Sequence, residues 1–166
     1  MKKIIIPLIL ILLLSGCGLI NPSKLLLPDD LEFIAVINEL DTPTKICEYM
    51  LYNFKVKSKP FYILSPYDLY LVGEGNCYDF SLFALFVANY HSYETYQIIV
   101  SYNYTSSTHA ITVYKIDGGY TFSDYWNYYD MILLNFIDVV NAGGNKWKSY
   151  IVYDYDMNII LSGTNI

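Results

Sequence analysis

The spacing of apolar residues changes twice along the chain, and those changes divide it into elements. Lys2 and Lys3 precede an apolar run from Ile4 to Leu14, broken only by Pro7, which gives way to Ser15, Gly16, Cys17 and Gly18. Asn21 to Asp30, with Pro22, Ser23 and Pro28, reads as a short tether. From Leu31 the spacing becomes helical. Leu31 to Leu40 predicts a short helix, and after the start signal Asp41-Thr42-Pro43 a second is expected from Thr44 to Phe54, with Cys47, Met50, Leu51 and Phe54 at helical spacing. Lys55 to Pro66 reads as a loop, followed by Tyr67 to Val72 and a tight polar turn, Gly73-Glu74-Gly75-Asn76. Cys77 to Tyr90 is apolar on most faces, the mark of a buried helix. Beyond it the period falls to two. Tyr96 to Tyr102, Thr108 to Ile116 and Tyr120 to Asp124 predict strands, with Asp117-Gly118-Gly119 as a hairpin signal. Met131 to Ala142 resembles an amphipathic helix ended by Gly143-Gly144, and Lys148 to Asp154 with Asn158 to Leu161 predicts a closing hairpin. Helices followed by a small antiparallel sheet make an α+β fold. There is no internal repeat and no low-complexity segment.

Composition narrows the partners. The 166 residues carry a formal charge of −6, and removal of residues 1–16 would take away two positive charges, Lys2 and Lys3, leaving −8. An acidic chain without arginine, whose lysines form no stripe, argues against nucleic acid. The Ile4 to Leu14 run is too short to span a bilayer, which takes about 20 apolar residues, and its flanks are those of a signal peptide. Leu14-Ser15-Gly16-Cys17 resembles the lipobox of bacterial lipoproteins, in which the cysteine thiol receives a diacylglycerol before the signal is cut away. That resemblance implies residues 1–16 as signal peptide, Cys17 as the lipid attachment site, 17–30 as tether, and one domain over 31–166 on the outer side of the cytoplasmic membrane. About 150 residues after Cys17 suffice for one compact core. The 19 tyrosines fit an exported domain with an aromatic core and wet edges.

The chemistry centres on a cysteine, a histidine and an aspartate in that order. Gly75-Asn76-Cys77-Tyr78-Asp79-Phe80 places a thiol in the first turn of a helix, where unsatisfied N–H groups and the helix dipole favour thiolate. Asn76 is a good N-cap, and Asp79 is expected to be structural. Of the two histidines, His109 opens a strand, whereas His91 follows a helix end in a polar segment and reads as a solvated terminal residue. A two-residue hairpin loop, either Asp117-Gly118 or Gly118-Gly119, puts His109 and Asp124 on one face. With the loop at Asp117-Gly118, Asp124 is diagonal to His109, about 7–8 Å between backbones, a gap the two side chains can bridge.

These residues resemble the transglutaminase-like superfamily, a papain-like fold with a Cys, His, Asp triad in that order. Gly75-x-Cys77-x-Asp79-Phe80 is similar to its nucleophile motif, His109-Ala110 to its His-Ala-Trp strand, and Phe122-Ser123-Asp124 to the strand supplying the acid; Ile111 stands where tryptophan is frequent. The resemblance spans Leu40 to Trp126. It implies that Cys77 attacks a carbonyl to form a thioester, that His109 moves the proton, and that Asp124 orients the imidazole. The Cys77 N–H would be one oxyanion donor, and Tyr62, Tyr67 and Tyr70 stand open as the second.

A Cys47–Cys77 disulfide is the structural alternative for an exported chain. Cys47 lies on the apolar face of its own helix and needs no partner, which favours a free thiol at Cys77. The spacing of Cys77 and His109 is not that of a zinc site, and no phosphate-binding loop follows a strand, so neither metal nor cofactor is expected. The expected function is an acyl transferase or amide hydrolase acting on protein or peptide. A cell-wall endopeptidase acting on peptidoglycan peptides and a non-catalytic binding lipoprotein are the alternatives.

Overall fold

The computed structural model describes residues 25–58, 62–103, 108–144 and 146–165. Cys17 and the signal segment lie outside them. Helix α1 spans Leu31–Glu39, α2 Pro43–Asn53, α3 Pro66–Val72, α4 Cys77–Tyr90 and α5 Phe136–Ala142. Strands β1 (Lys55–Val56) and β2 (Glu74–Gly75) form a short parallel pair. Strands β3 (Thr95–Tyr102), β4 (Thr108–Ile116), β5 (Gly119–Asp124), β6 (Asn127–Leu133), β7 (Trp147–Tyr153) and β8 (Ile159–Thr164) form an antiparallel sheet in the order β6-β5-β4-β3-β7-β8. The α+β class expected from the sequence is the one observed.

Helix α4 is the axis of the domain because it has no polar face: eleven of its fourteen residues are buried. Its far side meets α1, α2 and α3 through rings, with Phe54 edge-on to Phe80 and Phe83 at centroid distances of 5.7 and 4.9 Å, and Phe33 against Phe86. Its near side lies on β3 and β4, fixed by a buried polar knot. Thr112 donates to the Ser81 carbonyl at 3.0 Å, and Gln97 Nε2 donates to Ser81 Oγ at 3.1 Å. On the other face of the sheet, Ile98, Ile111, Val113, Phe122 and Val152 pack with Val139 and Val140 of α5.

Several elements depart from the sequence expectation. The stretch after Pro66 is a helix, because Ser65 and Asp68 cap it reciprocally and Gly73, at φ 69°, closes it. The expected Gly73–Asn76 turn contains β2, and the carbonyls of Gly73, just before it, and Gly75 accept from the Lys55 and Lys57 N–H groups at 2.9 and 2.7 Å. Met131 to Leu133 belongs to β6, paired to β5, and the helix begins only at Phe136, where the Asn135 side chain accepts from the Asp138 N–H at 3.0 Å. Met131 and Ile132 are therefore exposed on an edge strand rather than forming a buried helical stripe. Within the expected tether, Leu25 is buried in the helical core while Leu26 and Leu27 are exposed, and Asp30 caps α1 while accepting from the Tyr67 hydroxyl at 2.6 Å.

Candidate active site

The turn before α4 is built to hold Cys77 still. Asn76 accepts from the N–H groups of Tyr78 and Asp79 at 2.9 and 3.3 Å. Asp79 is fully buried, and its two oxygens accept from the backbone N–H groups of Leu64 and Asn76 at 2.6 and 2.7 Å. One carboxylate thus ties the helix start to the chain running up to α3. Gly75 is the residue that lets this happen. A Cβ there would stand 2.8 Å from Asp79 Cβ, Asp79 Oδ2 and Leu69 Cδ1, so the Gly-x-Cys-x-Asp spacing has a packing cause.

The β4–β5 hairpin turns at Asp117-Gly118, both at positive φ (52° and 80°), and pairs Ile116 with Gly119 through Thr112 with Ser123. This is the first of the two loops considered from sequence, and it makes Asp124 diagonal to His109. His109 Nε2 and Asp124 Oδ1 are 2.7 Å apart. The Cys77 sulfur lies near enough to the imidazole to help raise its pKa. The three residues singled out by the sequence therefore converge. Tyr78 and Thr108, the chain neighbours of Cys77 and His109, also hydrogen-bond to each other, joining the helix start to the strand start.

Burial pulls the His109 pKa down, but the hydrogen bonds and charges of Asp124 and Cys77 outweigh it and raise the imidazole from 6.5 to about 10. An imidazolium at neutral pH is the natural partner of a thiolate. Tyr102 and Tyr125 border the site: burial, then the charges of Asp124 and Cys77, raise the pKa of Tyr102. Tyr125 stacks near His109, 5.5 Å between ring centroids.

Cys47 and Cys77 are both free thiols, so the disulfide alternative does not describe this fold. Cys47 is 2% exposed, and burial pushes its thiol up to about 12 against opposing hydrogen bonds from Ser123 and Tyr114. Cys77 is also buried, with 9% of its surface exposed. His91 is not a solvated end residue: its Nε2 bonds the Ile37 carbonyl at 2.7 Å, tying α4 to α1. Of the tyrosines considered as a second donor, Tyr67 is bonded to Asp30, and Tyr70 packs on Phe33 at 5.0 Å. Tyr125 escaped the sequence reading, because its position in a hairpin loop gives no sign of the histidine it leans on. Among the described residues, no three His, Cys, Asp or Glu side chains gather to hold a metal. A separate open depression lined by Glu39, Lys45, Glu48 and Tyr52 borders none of the three site residues.

The α+β fold, helices packed on a six-stranded antiparallel sheet, is shared with solved structures. Legionella pneumophila LapG superposes with a TM-score of 0.54 at 13% identity, covering 86% of this chain and 90% of that one. A candidate cysteine protease from Cytophaga hutchinsonii gives a TM-score of 0.45 at 14% identity over 59% of this chain; the chain spans 43% of that neighbour's length. No family model and no curated protein matches the sequence.

Proposed function

We propose that the protein is an exported, lipid-anchored cysteine enzyme of the transglutaminase-like type, acting on an amide carbonyl of a protein or peptide. The observation that carries this reading is the 2.7 Å bond of His109 Nε2 to Asp124 Oδ1 at a strand start that the Tyr78–Thr108 bond ties to Cys77, at the capped N-terminus of α4. In the first half-reaction the Cys77 sulfur, its proton already held by His109, attacks the carbonyl carbon, moving the π pair onto oxygen. The Cys77 backbone N–H faces that developing charge as an oxyanion donor. Collapse expels the amine, which takes its proton from His109, and leaves a thioester on Cys77. Attack by water releases the acid, and attack by an amine gives a crosslink; in either case His109 accepts the nucleophile's proton and holds it as the Cys77 sulfur leaves. Asp124 holds the imidazole and offsets its charge in both halves.

The address is the other half of the proposal. Cys17 in the Leu-Ser-Gly-Cys run would carry the diacylglycerol, so substrates come from the membrane-proximal envelope, peptidoglycan peptides included. Incubating the mature protein with a peptide library, and reading new termini or amine adducts by mass spectrometry, tests the chemistry. Products that vanish with Cys77→Ala, and that fall about 10³-fold or more with His109→Ala, are expected. The absence of any Cys77-dependent product or acyl adduct would favour a binding module on the same fold. Mass analysis of the N-terminus tests the address: a diacylated Cys17, lost in Cys17→Ser, is expected.

A further inference from the structure

Two hairpin turns flank β5, and they are built very differently. The β4–β5 turn carries Asp117-Gly118, residues suited to positive φ. The β5–β6 turn, bounded by the pair Asp124 and Asn127, carries Tyr125-Trp126. Tyr125 sits at φ +51°, a left-handed conformation in which a bulky aromatic is a true outlier. Backbone of this kind persists where the surroundings hold it, and it gathers at functional sites. Here the surroundings are visible. The Tyr125 ring lies edge-on to Phe80 at 5.3 Å and leans on His109 at 5.5 Å, which brings the residue beside Cys77, whose charge helps to raise its pKa. The left-handed turn directly after Asp124 therefore swings an aromatic ring back over the cysteine and histidine.

We propose that Tyr125 completes the nucleophile's setting: its hydroxyl donates to the Cys77 sulfur, stabilising the thiolate beside His109. The inference rests on the reading of Cys77 as nucleophile and adds a donor that the segment before Cys77 does not show. Burial, followed by the charges of Cys77 and Asp124, pushes the Tyr125 phenol up to about 12, so it keeps its proton and remains a donor at neutral pH. The titratable groups facing the sulfur are His109 from β4, Asp124 from β5, Tyr102 from β3 and Tyr125 itself. Of the two tyrosines, Tyr125 is the one whose ring leans on His109, and phenylalanine keeps that contact while removing the hydroxyl.

The test is the pH profile of iodoacetamide alkylation at Cys77, with Cys47 as the internal control for folding. In Tyr125→Phe the Cys77 profile should move to higher pH, with labelling at about pH 6 slowed about tenfold and the high-pH plateau unchanged, as for loss of one hydrogen bond to a charged group. Incorporating 3-fluorotyrosine at position 125, a stronger donor of the same shape, should move the profile the other way. Profiles that coincide with the wild type in both proteins overturn the role. So does faster labelling of Tyr125→Phe at every pH, which would make the tyrosine a shield. If wild-type Cys77 itself reacts no faster than Cys47, the nucleophile reading falls and the role of Tyr125 falls with it. If wild-type Cys77 is fast and both variants match it, only the role of Tyr125 falls.

Discussion

Replacing Asp79 by asparagine changes no volume, yet it sets a donor against a donor at the point on which Cys77 depends. Both carboxylate oxygens accept backbone N–H groups, Leu64 at 2.6 Å and Asn76 at 2.7 Å, in a site with no solvent access. The asparagine side chain keeps one acceptor and turns the other into an NH2 group, so one of the two backbone donors loses its partner where water cannot replace it. A hydrogen bond to a charged group contributes about 1.5–3 kcal/mol, and removing a negative charge from a helix N-terminus costs about 0.5–1 kcal/mol more. The expected loss is therefore about 2–4 kcal/mol, or about 6–12 °C in Tm at roughly 3 °C per kcal/mol for a chain of this size. Thermal unfolding followed by circular dichroism measures it. The same carboxylate joins α4 to the chain entering α3, so iodoacetamide should also discriminate less between Cys77 and Cys47 in the variant. A Tm within about 2 °C of the wild type, with Cys77 as reactive as before, would refute the idea that this clamp positions the thiol.

Four further outcomes follow from the same geometry. Gly75→Ala forces a Cβ to within 2.8 Å of Asp79 and Leu69, and urea unfolding should show a loss of about 1–3 kcal/mol; an unchanged midpoint would mean that the turn relaxes freely. Thr112→Val removes the donor that pins Ser81 to the sheet, and a loss of about 1–2 kcal/mol together with reduced Cys77 reactivity is expected, since the change lies one helical turn from the thiol; full reactivity would show that the knot serves stability alone. The folded-state pKa of His109 is raised from 6.5 to about 10, so the stability contributed by its pairing is complete below about pH 6.5 and drains away as pH rises through about 10. Denaturation midpoints taken between those values should fall in the wild type and stay flatter in His109→Gln. Cys47, 2% exposed with its thiol pushed up to about 12, should label only as fast as the protein unfolds, so labelling in native buffer would contradict its burial.

Much of this molecule is written locally. The all-apolar run after Asn76 dictates a buried helix with a capped start, because a helix without a polar face must be enclosed. Asp117-Gly118 dictates the turn, the turn dictates the register, and the register makes Asp124 diagonal to His109. Where the reading failed, competing local signals were present. Ser65-Pro66-Tyr67-Asp68 is a capping box that starts α3, and Asn135 marks the true start of α5 within an apolar stretch that mimics a longer helix.

The sequence by itself determined the two halves of the site, a thiol at a helix start and a histidine–aspartate pair on a hairpin, because each depends on contacts within a few residues or across one tight turn. Bringing the halves together was left to the tertiary structure. Strand alternation gives no hint of it: Thr112 and Tyr114 face the core that holds α4, whereas Ile111 and Val113, which share the parity of His109, face α5. Cys77 and His109 meet at the end of the sheet, beyond the last β4–β5 pair, where the Ser81 knot and the Tyr78–Thr108 contact hold the helix start against the strand start. Tyr125 was hidden for the same reason. A side chain in a two-residue turn leans on a histidine 16 positions earlier in the chain, beside the helix start, only because long-range packing, which no local pattern encodes, holds both in place.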